Sequence, residues 1–525
     1  MKPRRILQSR LPSRLLVVAP HPDDDILAAG GLIHRAVRRG SAVRVAFMTI
    51  GDGYMLAAAR LAGVVDPGPE DYVALGGHRR DEAVAALASL GVGERSVVFL
   101  GYPDQGTARI LDGGHWGPGE PYRSRYTERD ACPYPFVLTP GAPYCGQQIV
   151  SDVIRVIQGF WPDVILLPHP ADTHDDHWAT YAWWLYALER MDYVSATGAE
   201  VVCYMVHSGL DWPAPWGYQP DEQLRPPEGR AQPAMMWMRV DLEEEERVAK
   251  LRALEQHRSQ MGLSGPFLKS FVRANELFCL VPGFDVVGDG ADGGARPIAG
   301  PGGSGGGGAL EPGPVHGFPR VFPPGGEIRS TVVSRADEGL LVTMELGWRP
   351  SASIDYQLRV APCSGHGKEG SIVDPLVYRP FWPEGLARAV RREGVEDSED
   401  REDLEEEGWP DEPEWPEEED LQELAASRGL RGFEGLEGSG VAGVADLEDM
   451  RALTWQIKFL VPWDEVGPLG SRTLLMETAT VKRGRILDRS GWFVVRTGRA
   501  GRREVVFDSG QAEVNRNGIQ SDRDP

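Results

Sequence analysis

The stretch VVAPHPDDDILAAGG, Val17 to Gly31, runs from apolar residues into a histidine and three consecutive aspartates, then back to small and apolar residues. With Leu15 and Leu16 before it, the apolar part LLVVA reads as a strand buried on both faces, and Ile26 to Arg39 as the helix that follows. The charged group therefore falls at the turn between them, at the carboxyl edge of a sheet. One aspartate there is explained as a helix N-cap or as a charge suited to the first-turn dipole. Three in a row, with His21 two residues ahead of them, are not, because concentrated like charge is costly unless a cation neutralises it.

Outward from this stretch the pattern repeats. VRVAFMT (Val43 to Thr49), SVVFL (Ser96 to Leu100), DVILL (Asp163 to Leu167) and EVVCYMV (Glu200 to Val206) read as strands, and His78 to Leu90, Gln147 to Gly159 and His177 to Arg190 as helices. This alternation predicts an α/β fold with a mostly parallel, Rossmann-like sheet, helices on both faces, and ligands at the carboxyl ends of the strands. Two long loops are expected, at Tyr54 to Gly77 and at Gln105 to Gly146, as lids or pocket walls.

The chain of 525 residues exceeds what one core usually serves. A glycine-dense, non-repeating stretch from Gly288 to Pro314 reads as a flexible linker. The expected organisation is an α/β domain over 1–285, a linker over 286–316 and a β-rich, sandwich-like domain over 317–525. EIRSTVVSR, LLVTMELGW, IDYQLRVA, LTWQIKFLV, TLLMETATV and WFVVRTG alternate as antiparallel strands do. A disordered acidic insertion is expected at about 393–445, since Glu396 to Asp420 holds 16 acidic residues and one basic one. The β-rich tryptophans Trp348, Trp382, Trp455, Trp463 and Trp492 are read as core.

The net charge of -23 argues against nucleic acid as a partner. Five cysteines, odd in number and without a CxxC, suggest free thiols. No stretch has the roughly 18 apolar residues needed to cross a bilayer. The basic N-terminus leads into HPDDD and not into a cleavage site, so a cytoplasmic protein is expected.

A second cluster, PHPADTHDDHWATY from Pro168 to Tyr181, holds His169, His174, His177, Asp172, Asp175 and Asp176 at the end of another strand. Two imidazoles and a carboxylate with open positions form a known kind of catalytic zinc site.

These motifs, taken in order, resemble the PIG-L or LmbE-like N-deacetylases, zinc-dependent hydrolases that remove acetyl from N-acetylated amino sugars. The resemblance runs over about 15–262: PHPDD, TIGDG at Thr49 to Gly53, the R-x-x-E of Arg79 to Glu82, LGV at Leu90 to Val92, FLGYPD at Phe99 to Asp104, PHPADTHDDH, and KLRALEQHRSQ at Lys250 to Gln260. It implies His21, Asp24 and His177 as ligands of one zinc ion and Asp23 as general base. It implies His174 as the group that stabilises the oxyanion or protonates the amine, and Asp176 as a carboxylate orienting a histidine. Arg79 and Asp104 match positions near the substrate pocket. His169 is read as a loop residue and Asp172 as a supporting one. Asp25 stands where the family generally has Glu. The implied partner is a small amino-sugar conjugate; the β-rich domain lies outside the resemblance and is expected to bind a glycan or a partner protein. Two alternatives are a hydrolase of another amide, such as a thiol-sugar conjugate, and a non-catalytic glycan-binding protein.

Overall fold

The structure, a computed structural model, describes residues 11–209, 212–227, 236–281, 283–286, 296–298, 328–335, 339–346, 354–363, 376–381, 386–389, 455–462, 472–482, 485–489 and 492–497. In chain order the α/β part comprises β1 (Arg14–Ala19), α1 (Asp24–Arg38), β2 (Ala42–Thr49), α2 (Met55–Ala62), α3 (Pro69–Ser89), β3 (Val97–Tyr102), α4 (Thr107–Asp112), α5 (Gly146–Gln158), β4 (Val164–Pro168), α6 (Asp175–Arg190), α7 (Tyr193–Thr197), β5 (Glu200–Tyr204), β6 (Met236–Asp241), α8 (Glu244–Leu254), α9 (Arg258–Lys269) and β7 (Asn275–Leu280). The β-rich part comprises β8 (Gly283–Val286), β9 (Arg296–Ile298), β10 (Ile328–Arg335), β11 (Gly339–Leu346), β12 (Asp355–Pro362), β13 (Leu376–Phe381), β14 (Leu386–Ala389), β15 (Trp455–Pro462), β16 (Arg472–Lys482), β17 (Arg485–Arg489) and β18 (Phe493–Thr497).

The first sheet has the order β3-β2-β1-β4-β5-β7-β6. Its first five strands are parallel, and β7 and β6 close one edge antiparallel. Leu15 to Ala19 are fully buried, as the unbroken apolar run of β1 requires. Helices α1, α3 and α8 pack together as one group, and α4, α5 and α6 as another. The strand order reverses between β1 and β4, so a crevice opens at their carboxyl ends. Both charged motifs lead out of that crevice.

Helix α1 is broken at Ala29 (φ -142°, ψ 18°). The N–H groups of Gly31 and Leu32 donate instead to Glu276 of β7, at 2.8 and 2.9 Å. Buried Lys250 of α8 completes this tie, donating to Glu276 and to the Leu27 carbonyl, each at 2.8 Å.

The expected loop from Tyr54 to Gly77 is instead helical, with α2 and the first turns of α3. MLAAARLA is rich in strong helix formers, and Pro69 with Glu70 and Asp71 makes a favourable first turn. Helix α4 likewise interrupts the second expected loop.

Among the described residues the β-rich part is an eleven-stranded sheet, β10-β11-β15-β14-β13-β12-β16-β18-β8-β9 with β17 on β16. Most pairings are antiparallel, and β14 with β15 and β18 with β8 are parallel. Strands β8 and β9 lie across the start of the stretch read as linker. The acidic run at 393–445 lies outside the described residues, as do Trp348, Trp382, Trp463 and the side chain of Trp455. Trp492 is buried. No helix among the described residues is long and apolar enough to cross a membrane. All five cysteines are buried, and none is joined in a disulfide.

Candidate active site

The ends of all five parallel strands converge on one buried cluster. Strand β1 leads to His21, Asp23 and Asp24; β2 to Asp52 and Gly53; β3 to Asp104; β4 to the residues 169–177; and β5 to His207. Asp24 Oδ2 accepts the His21 backbone N–H at 2.9 Å and lies 3.2 Å from both His21 Nδ1 and His177 Nε2. His177 Nε2 is buried, and its approach to Asp24 lacks hydrogen-bond geometry. Burial alone would raise the Asp24 carboxyl, but His177 and His21 hold it well below the ordinary range.

His177 is fixed from behind. Its Nδ1 lies 3.1 Å from Asp172 Oδ2, which also accepts the backbone N–H groups of Val206 and His207 at 3.0 and 2.9 Å. Asp172 Oδ1 takes the His174 N–H at 3.0 Å. Against burial, His177 first, then His207 and the His174 amide, hold the Asp172 carboxyl below the ordinary range, and an ionised partner sets the proton of His177 on Nδ1. Burial lowers the imidazole, but Asp172 and Asp24 outweigh it and hold His177 up at about 9.

His21 Nε2 meets Asp176 at 3.2 Å and Asp104 at 3.3 Å. Asp176 accepts from the Gln105 N–H at 2.6 Å and from both the backbone and hydroxyl of Thr107. It therefore faces His21. Asp104 is anchored by the Gly53 N–H at 2.8 Å.

His174 caps α6, its Nδ1 accepting the Asp176 N–H at 3.2 Å. That bond leaves the proton of the neutral ring on Nε2. Burial first, then His21 and His177, holds the ring below its ordinary value and so neutral.

Asp23 has the most unusual backbone here, with φ 128° and ψ -29° in a residue other than glycine. Arg79 holds this turn: its guanidinium donates to the carbonyls of Gly51 and Pro22 at 2.8 and 2.7 Å and lies 3.4 Å from Asp23 Oδ2. Gly51 permits that approach, because a Cβ at its φ of +69° would stand 2.1 Å from the Arg79 guanidinium. Burial pushes the Asp23 carboxyl up to about 7 against the pull of Arg79. Asp25 is buried with neither oxygen hydrogen-bonded, and burial together with Asp23 and Asp24 pushes it well up.

His169 is buried, its Nδ1 accepting the Ala171 N–H at 3.0 Å while its ring stacks on Trp237. Glu82 of the R-x-x-E motif ties α3 to α9 through Ser259.

Three overlapping triplets among the described residues place potential ligand atoms within 4.8 Å of one another: His21, His174 and His177; Asp24, His177 and His207; and His21, Asp104 and Asp176. His207 was not anticipated. Its ring lies 4.8 Å from that of His177 and stacks on Phe267 of α9, and burial drives its pKa down to about 3. Its only sequence signal is a lone histidine after a strand. Buried His257, between α8 and α9, lies inside the KLRALEQHRSQ motif, whose spacing alone assigns it no role.

The family model described as PIG-L: GlcNAc-PI de-N-acetylase matches residues 16–188. A 1D-myo-inositol 2-acetamido-2-deoxy-alpha-D-glucopyranoside deacetylase of Mycobacterium sp. (strain KMS) is 41% identical over 111 residues, covering 21% of this chain and 31% of that protein. The protein of the same name from Mycobacterium avium (strain 104) is 32% identical over 167 residues, or 31% and 47% of the two chains. The chain thus spans less than half the length of these curated relatives. A solved N,N'-diacetylchitobiose deacetylase from Pyrococcus horikoshii is 18% identical with a TM-score of 0.31, over 51% of this chain and 84% of that one. Both strand-end motifs fall inside residues 16–188, the stretch that matches the PIG-L family model.

Proposed function

We propose that the chain is a zinc-dependent N-deacetylase acting on an N-acetylated amino-sugar conjugate, with His21, Asp24 and His177 as ligands and Asp23 as general base. The observation that carries this reading is the backbone of Asp23, held beside Asp24 in a conformation that costs a non-glycine residue on the order of 1–3 kcal/mol. Such strain persists where the surroundings over-determine it, and the Arg79 contacts to Pro22 and Gly51 do so.

The donor set fits zinc. Two imidazoles and a carboxylate converge, and a buried His177 Nε2 that meets Asp24 without hydrogen-bond geometry is backed by a carboxylate on Nδ1. When bound, zinc supplies Lewis acidity to the amide carbonyl and to water. Asp23 accepts the proton of the attacking water. His174, its Nδ1 engaged by the Asp176 amide, donates from Nε2 to the oxygen that gains charge. The C–N bond then breaks, the proton held by Asp23 passes to the departing nitrogen, and acetate and a free amine leave. Asp172 orients His177, Asp176 and Asp104 orient His21, and Arg79 braces the turn that carries Asp23.

The mycobacterial relatives are named for removing acetyl from an acetamido-glucopyranoside of inositol, which supports an amino sugar as substrate. The test is acetate release from a panel of N-acetylglucosaminides, the inositol conjugate included. Release on at least one member, abolished by a chelator and restored by zinc, is expected. Release that is indifferent to chelation, or full activity in Asp23→Asn, overturns the assignment.

A further inference from the structure

The β-rich sheet reaches the supports of the pocket. Strand β17 ends at Arg489, which is only 3% exposed. Its guanidinium lies 3.7 Å from the ring centroid of Trp178 and 3.0 Å from Asp112, with Glu477 of β16 at 3.2 Å. Arg359 of β12 takes the other Asp112 oxygen at 2.6 Å. Trp178 directly follows His177 in the first turn of α6, and its indole donates to Asp175 at 3.2 Å. Asp112 is the last residue of α4, whose first residue, Thr107, donates to Asp176. One guanidinium therefore bridges the start of α6 and the far end of the short helix that grips Asp176. A planar guanidinium stacked on an indole and paired with carboxylates out of water is held far more tightly than an exposed ion pair.

We propose that Arg489 is a positioning residue for the pocket: from the β-rich sheet it clamps α4 against α6 and so fixes Asp176 and His177. As a statement about metal binding this rests on the functional reading above. As a statement about local order it does not.

The test uses the full chain with Arg489→Met, Arg489→Lys and, as control, Val461→Ala, which thins the separate core of the β-rich sheet. Hydrogen exchange and zinc competition against a chromophoric chelator are the readouts. In Arg489→Met the amides of 107–112 and 175–180 are expected to exchange at least about tenfold faster, and the Kd for zinc to rise about 10- to 100-fold, as loss of an orienting contact does elsewhere. Arg489→Lys should fall between, because lysine keeps the charge beside Asp112 but cannot stack as a plane. Val461→Ala should leave both segments and the Kd within about twofold. Native exchange at both segments in a folded Arg489→Met protein overturns the proposal, as does an equal loss in Val461→Ala. If Arg489→Met does not fold, Asp112→Asn at the partly exposed end of α4 takes its place, and unchanged exchange there overturns it too. A native chain that takes up no zinc ends the metal reading, and the exchange comparison still decides the clamp.

Discussion

Asp23 carries the sharpest consequences at the level of single residues. Asp23→Asn keeps the shape of the side chain and removes the base, so turnover is expected to fall by about 10²- to 10⁴-fold with zinc content unchanged; kinetics paired with metal analysis of the same sample checks this. Asp23→Gly is expected to raise the melting temperature while abolishing turnover, because glycine occupies φ 128° without strain. A lowered Tm would show that the backbone there is not strained. Asp172→Asn leaves His177 without its ionised partner and should weaken zinc binding by about 10- to 100-fold, read by chelator competition. The two strand-end motifs were legible because each concentrates ionisable groups immediately after a buried strand. His207 was not, since a lone histidine has no sequence neighbours to distinguish a pocket residue from a core one. The place of Arg79 beneath the Asp23 turn depends on α3 bringing its guanidinium to the Pro22 and Gly51 carbonyls just beyond β1 and β2, which no local spacing reveals.

At the level of elements, the five parallel strands were readable from their continuous apolar runs, because burial on both faces removes the polar alternation. Strands β6 and β7 were not read: they form an antiparallel edge, and their partners are set by tertiary pairing. That edge nevertheless supports the site through the break in α1. Lys250→Met would leave Glu276 buried without its cation, which typically costs about 3–5 kcal/mol, so a clear drop in the denaturation midpoint is expected. The turn after β2 gives a pH signature. Burial, with Asp104 nearby, pushes Asp52 up to about 7, although the Tyr134 hydroxyl donates to it at 2.6 Å. Between about pH 4 and 7 the folded chain thus holds a proton that the unfolded chain has lost, and stability falls as pH rises through that window. The melting temperature of Asp52→Asn should decline less over the same range than that of the native protein.

For the whole molecule, composition and the glycine-dense stretch suggested two separate domains. Yet the apolar core of the α/β part includes Ala361, Cys363, Leu475, Trp492 and Val494 from the β-rich sheet. Sequence patterning reports which faces of a strand are apolar, not which layer covers them, so this shared core was not legible. A chain stopped after residue 286 is expected to bind a hydrophobic dye and to lose its sharp thermal transition; a cooperative, dye-silent fragment would show that the core closes without the sheet. Strand β8, which follows β7 almost at once, pairs with β18, more than two hundred residues later. During synthesis the α/β part therefore leaves the ribosome with an apolar flank uncovered and one strand waiting for a partner not yet made. On the Arg489 proposal the pocket is ordered only once β17 has emerged, and a chain stalled before it is expected to stay bound to chaperones.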